Sequence, residues 1–217
     1  MVLLCFSDIH GRGAGLKEIA DASPEADAIV ISGDVTQLGG YPEAERIISP
    51  LLLTGKPLLA VRGNMDREGV ERFLDEKGLN LHGAGRIIGD IGFHGLGGSY
   101  PTPIPTPFEL SREEARRLLA RGFAEVSRSA RRVLISHEPP KDTTLDRITT
   151  GLHVGSAEVR AFIEKTKPAL CISGHIHESP GEDRIGDTVC VNLGPYGSGR
   201  YAIIRIDSTI TILWRNR

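Results

Sequence analysis

Seven side chains of this 217-residue chain could hold or polarise a charged ligand, and each comes just after an apolar run. Asp8 and His10 follow Val2–Ser7, within Asp8-Ile9-His10-Gly11. Asp34 follows Asp27–Ser32, within Gly33-Asp34. Asn64 follows Lys56–Val61, within Gly63-Asn64-Met65-Asp66. His137 follows Arg132–Ser136, and His175 and His177 follow Ala169–Ser173, within Gly174-His175-Ile176-His177. Carboxylate, amide oxygen and neutral imidazole together suit first-row divalent cations (Mn, Fe, Co, Ni or Zn) better than calcium. One catalytic zinc takes about three protein ligands. Seven candidates suit two cations, which a carboxylate can bridge when they lie about 3.5–4 Å apart.

The apolar runs are the elements that must position these groups. They are continuous rather than alternating, as strands buried on both faces should be. Helical patterns over Gly15–Ala22, Tyr41–Thr54 and Arg67–Lys77 separate the first three runs, a βαβαβ order that implies a parallel sheet. In an open α/β sheet the carboxyl ends of the strands converge on one crevice. Asp8, His10, Asp34, Asn64, His137, His175 and His177 should therefore meet.

Further along, Gly85–Leu96 reads as hairpins. Ser99–Phe108, with prolines at 101, 103, 105 and 107, reads as an irregular loop. Ser111 caps a charged helix to about Ser127, and Ser156 caps another to Lys165. Thr188–Asn192, Arg200–Ile206 and Thr209–Trp214 read as a terminal antiparallel meander, with Asp207-Ser208 as a tight turn. No repeat or long linker divides the chain, so residues 1–217 are expected to form a single domain.

Composition narrows the partners. Twenty-six basic and 28 acidic residues leave a net charge of −2, so nothing marks nucleic acid as the default partner. Cys5, Cys171 and Cys190 sit in apolar runs and read as buried, reduced thiols. The amino-terminal run lacks a basic flank and is too short for a signal peptide, and no stretch could cross a membrane. A cytoplasmic enzyme without membrane contact is the expectation; oligomeric state is not legible.

In order, Asp-x-His, Gly-Asp, Gly-Asn, His and Gly-His-x-His resemble the calcineurin-like metallophosphoesterase superfamily, from Asp8 to about Asn192. The stretches Gly97-Gly98-Ser99, Ser136-His137-Glu138-Pro139-Pro140 and Gly174-His175-Ile176-His177-Glu178 look closest to a prokaryotic, largely archaeal subgroup. The resemblance implies an α/β fold of two mixed β-sheets packed as a sandwich, with helices on both outer faces (α-β-β-α). It implies that Asp8, His10 and His177 hold one metal, that Asn64, His137 and His175 hold the other, and that Asp34 bridges them. The expected cofactors are two divalent ions, Mn or Fe first, with Zn, Ni or Co as alternatives. A hydroxide bridging the metals would attack phosphorus in line, with Asn64, His137 and Asp34 in the catalytic set.

One position departs from that family. Many members read Gly-Asn-His-(Asp/Glu), where the His contacts phosphate or protonates the leaving group. Met65 stands there, and a thioether transfers no proton, while Asp66, which would orient that His, is retained. The expected preference is for phosphodiesters or activated esters over alkyl phosphomonoesters. Arg12 could reach a phosphate, and His153 is a candidate substitute acid. Tyr100 and Phe108 could wall the pocket, and Glu138 and Asp142 could orient ligating imidazoles. His94 reads as packing, His82 as a turn residue, and Arg116, Arg117 and Arg121 as a solvated strip. A small phosphate ester is the expected substrate. A nuclease of the same superfamily and a non-catalytic protein-interaction scaffold are the alternatives.

Overall fold

The computed structural model describes residues 1–217. Chain order runs β1 (Val2–Phe6), α1 (Leu16–Asp21), β2 (Ala28–Ile31), α2 (Tyr41–Leu52), β3 (Leu58–Ala60), α3 (Glu68–Glu76), β4 (Gly85–Ile88), β5 (Ile91–Leu96) and α4 (Arg112–Val126). It continues with β6 (Arg131–Ser136), α5 (Ala157–Thr166), β7 (Leu170–Ser173), β8 (Gly181–Ile185), β9 (Thr188–Asn192), a 3-10 turn at Tyr196–Ser198, β10 (Arg200–Ile206) and β11 (Ile210–Asn216). Two mixed sheets result. One has five strands in the order β11-β10-β1-β2-β3, and the other has six in the order β4-β5-β6-β7-β9-β8.

Strand periodicity builds the layers. Successive side chains of a strand face opposite ways. In β1, Leu3 and Cys5 join a core shared with Val133, Ile135, Leu170 and Ile172 of the other sheet. Leu4 and Phe6 turn to the opposite face and pack with Leu16 of α1, Ile47 and Ile48 of α2, and Val70 and Phe73 of α3. On the second sheet, Leu134 and Cys171 face away from the shared core, against Leu118 and Leu119 of α4 and Val159 and Ile163 of α5. The order of layers is thus helices, sheet, sheet, helices, and double-sided burial explains the unbroken apolar runs. Each fully buried Leu, Ile or Phe contributes roughly 1.5–3 kcal/mol. Ser111 and Ser156 cap α4 and α5 by accepting from the amides of Glu114 and Val159, both at 3.2 Å.

One sequence reading needs correction, and one strand is unforeseen. Thr188–Asn192 is not part of a terminal meander. It is β9 of the six-stranded sheet, parallel to β7, and only β10 and β11 form the closing antiparallel pair. An apolar run signals burial but not which sheet receives it. The unforeseen strand is β8, an edge strand reading Gly-Glu-Asp-Arg-Ile with only Ile185 buried, which no apolar pattern announces. The three cysteines are free and buried, and no helix is long and apolar enough to cross a membrane.

Candidate metal centre

Strands β1, β2 and β3 run parallel in one sheet, and β6, β7 and β9 run parallel in the other. Their carboxyl ends meet at one edge of the sandwich. The first sheet supplies Asp8, His10, Asp34 and Asn64; the second supplies His137, His175 and His177. Four of these residues hold left-handed backbone: Asp8 (φ 50°), His10 (48°), Asp34 (49°) and His175 (66°). That conformation is uncommon outside glycine and best tolerated by Asp, Asn and His. It turns each strand end sharply, so that the side chain enters the crevice. Neighbouring turns lock together: the Asp8 amide donates to Gly33 O at 3.1 Å and the His10 amide to Asp34 O at 2.9 Å. The glycines of the motifs provide clearance. A Cβ on Gly63 would collide with the Asp34 amide and carboxylate, and one on Gly174 with Ser7 and the Asp8 carboxylate.

Two groups of donors form. Ligand atoms of Asp8, His10 and His177 lie within 4.8 Å of one another, and so do those of Asp8, Asp34 and His137. Asp34 Oδ2 lies between the two sides, 3.7 Å from His10 Nε2 and 3.5 Å from His137 Nε2. His177 Nε2 is 3.3 Å from Asp8 Oδ1 and 3.3 Å from His10 Nε2. Asn64 Oδ1 is 2.9 Å from His137 Nε2. The His175 ring stands edge-on to His137 with centroids 4.9 Å apart, outside both donor groups, and its amide reaches both Asp8 oxygens at 3.2 and 3.1 Å.

This donor set fits divalent cations. His137 Nδ1 faces the Ser32 carbonyl at 2.9 Å and so carries the hydrogen. Its Nε2 lone pair then points at two oxygens, from Asn64 and Asp34. A proton or a cation must lie among them. Without a cation the proton does so: burial opposes the charge on His137, but Asp34 and then Asp8 lift its pKa to about 10. Burial likewise pushes the Asp8 carboxyl up, yet the His177 hydrogen bond and the nearby imidazolium charges hold it below the usual carboxylate range. Two buried carboxylates this close repel unless positive charge lies between them. Bound divalent cations would satisfy both carboxylates and the imidazole lone pairs together.

The profile of the Calcineurin-like phosphoesterase superfamily domain matches residues 1–209. The chain belongs to the calcineurin-like phosphoesterase superfamily. It is 34% identical over 202 residues to the uncharacterized protein MJ1162 of Methanocaldococcus jannaschii, spanning 90% of this chain and 88% of that protein. TT1561 of Thermus thermophilus superposes with a TM-score of 0.79 at 19% identity, over 99% of this chain and 98% of that one. A dimetal phosphatase from Danio rerio superposes with a TM-score of 0.71 at 12% identity, over 100% and 96%. At such identities the likeness is one of fold. Membership implies metal-dependent hydrolysis of a phosphoric ester, and the Asp and His clusters are groups that could hold the metal.

In this calcineurin-like chain the crevice opens into a cavity of about 650 Å³. Asp8, His10, Asp34, Asn64, His175 and His177 line it, with Arg12 and Met65 at its walls. The Met65 amide donates to Asp34 Oδ1 at 2.8 Å, which leaves Asp34 Oδ2 facing the imidazoles. Gln37, Pro195, Gly197 and Ser198 also line it, and no motif in the sequence marks them. The last three follow β9, whose parallel direction sends the chain beyond Asn192 to the same crevice as the other strand ends. The apolar run Thr188–Asn192, placed in the parallel sheet, is the signal that could have found them.

Other candidates lie elsewhere. His153 does not line the cavity; its Nδ1 is 2.6 Å from Asp146 Oδ1 and its Nε2 accepts from Arg147 Nε at 3.1 Å. Tyr100 and Phe108 do not wall the cavity. The Tyr100 hydroxyl donates to Glu158, while Phe108 packs under the Arg62 guanidinium, 3.4 Å from its ring centroid. Neither Glu138 nor Asp142 bonds to an imidazole of the crevice; the Ser32 carbonyl orients His137 instead. Glu138 is buried, which lifts its pKa to about 8 against the opposing charge of His137. His82 is more than a turn residue: its Nδ1 accepts from the Gly97 amide at 2.9 Å. Arg116, Arg117 and Arg121 are all exposed, as a solvated strip should be, though two of them also make contacts. Arg116 pairs with Glu158 at 3.6 Å, and Arg121 bonds to the His82 and Gly83 carbonyls. His94 is fully buried, edge-on to Phe123 and tilted against Phe162.

Proposed function

We propose that this chain is a phosphodiesterase acting on a small phosphate ester, with two divalent metals held between its two sheets. Asp8, His10 and His177 would hold one metal, Asn64, His137 and His175 the other, and Asp34 would be shared. The reading rests above all on Asp34 Oδ2 lying between His10 and His137, one imidazole from each sheet. Since neither sheet alone carries the set, residues 1–217 would act as one catalytic domain. Mixed nitrogen and oxygen donors favour manganese or iron, with zinc, nickel or cobalt next. When bound, the metals would supply Lewis acidity and a water acidic enough to act as a nucleophile near neutral pH.

The chain's own groups would do the rest. With Asn64 Oδ1 turned to His137, the Asn64 amide N–H₂ can donate to a phosphoryl oxygen. Arg12 adds positive charge at the wall, where charge builds in the transition state. Met65 offers no proton, so departure of a poor leaving group loses the roughly 10²–10⁴-fold that a general acid supplies. Activated esters and diesters should suffer least.

The test is hydrolysis of bis-p-nitrophenyl phosphate and p-nitrophenyl phosphate, metal-free and then with Mn²⁺, Ni²⁺, Co²⁺, Zn²⁺ or Mg²⁺. Metal-dependent turnover favouring the diester, abolished by Asp34→Ala, is expected. Turnover that survives Asp34→Ala, or none with any metal, would overturn the reading, and degradation of single-stranded DNA alone would replace it with a nuclease.

A further inference from the structure

A second recess of about 320 Å³ adjoins the cavity and shares Arg12, Gly197 and Ser198 with it. Beyond that shared wall it is closed by Ala14, Tyr196 and Arg217. Its floor is fixed. The Tyr196 amide donates to Ser7 O at 2.9 Å, and its hydroxyl to Ala14 O at 2.7 Å. Arg217 is anchored at both ends: its amide donates to Gly199 O at 2.8 Å and its guanidinium to Ala14 O. Arg12 lies across Gly197, where a Cβ would stand 3.1 Å from its Nη1.

The positive charges of this recess are not neutralised by an ion pair. Neither Arg12 nor Arg217 takes part in any of the chain's ten ion pairs. Glu43, which approaches Gly11 in the same loop, is 3.8 Å from Arg46, and Arg46 itself donates to Gly11 O at 3.2 Å. Two guanidinium groups outside any ion pair, over a polar turn, offer a site for an oxyanion, since the planar fork matches phosphate oxygens.

We infer that this recess binds a second, non-scissile phosphoryl group of the substrate. Resting on the function proposed above, this narrows the substrate class to phosphate esters with at least two phosphoryl groups. The ester to be cut lies in the larger cavity, and the second group reaches past Gly197 to Arg12 and Arg217.

The recess can be tested without metal. Inorganic phosphate is titrated calorimetrically into chelator-treated protein. Wild type should bind it, Arg217→Ala and Arg12→Ala should weaken binding about tenfold, and Arg217→Lys should restore part of it. Unchanged affinity in both alanine variants, with urea midpoints matching wild type, overturns the recess. A kinetic arm compares the p-nitrophenyl ester of thymidine 5′-phosphate with the same ester carrying a 3′-phosphate, on manganese-loaded protein. KM should be at least tenfold lower for the doubly phosphorylated ester, and Arg217→Ala should erase that advantage. Equal KM values overturn the substrate class. Loss of all turnover while the titration still responds to Arg217 sinks the phosphodiesterase reading and leaves the recess standing.

Discussion

Asp66 Oδ1 accepts from both the amide and the hydroxyl of Thr36, at 2.7 and 2.8 Å. The other oxygen accepts from the Val35 amide at 3.1 Å and the Gly63 amide at 2.9 Å. One buried carboxylate thus ties the turn that carries Asp34 to the turn that carries Asn64. This gives Asp66 a role that needs no histidine at position 65. Burial and the nearby Asp34 charge push its pKa up to about 7, while its hydrogen-bond donors pull it down.

Replacing Asp66 with Ala should leave those buried donors without partners. The expected cost is about 2–4 kcal/mol, read as a lower urea midpoint, with loss of turnover because both turns move. A midpoint unchanged from wild type would show that the tie carries little energy.

Gly63→Ala places a Cβ into the Asp34 amide and carboxylate. The turn must shift, and a shift of about 1 Å can cost on the order of 10²-fold in rate. Lower metal stoichiometry by elemental analysis should accompany the loss. Wild-type metal content and rate would mean that the strand ends can yield.

Met65→His restores a group able to transfer a proton. The ratio of monoester to diester turnover should rise, by roughly 10²-fold if the ring reaches the leaving group. An unchanged ratio would sink the account of Met65.

Acid stability should report His94. Burial, with the Arg132 charge next, lowers its pKa from 6.5 to about 4. Between those values the unfolded chain binds the extra proton and the folded one does not, so stability falls as pH drops through this window. At 1.36 kcal/mol per unit the full span is about 3 kcal/mol. Urea midpoints measured from pH 7 to pH 4 should show this loss, and His94→Leu should make the slope shallower, with buried His82 and His175, also lowered to about 4, supplying the rest. An equal slope in the variant would assign the loss to other groups.

Much of the centre is legible because parallel strands buried on both faces leave unbroken apolar runs. Polar residues at the ends of such runs stand out, and Asp8, Asp34 and His137 need no more than that. What stays hidden depends on contacts far apart in sequence. No local pattern says that Thr188–Asn192 joins β7, so Gly197 and Ser198 escape notice along with their place at the cavity. Phe108 has the composition of a binding surface, but Arg62 already covers its ring. His153 has the look of a free acid in sequence, yet Asp146, held by the amides of Thr143 and Gly155, binds it.

The left-handed backbone at Asp8, His10, Asp34 and His175 has a consequence for how such a protein changes over time. Each strained residue of this kind costs on the order of 1–3 kcal/mol, and only the surrounding structure maintains it. Glycine at any of these positions would relieve that strain, and a neutral side chain would also end the crowding of buried charge. At Asp8 and Asp34 that relief is opposed, because their carboxylates accept the His175 and Met65 amides and balance the charge of His137. A lineage that keeps this geometry must hold a reserve of stability in its three apolar cores to maintain the strained turns.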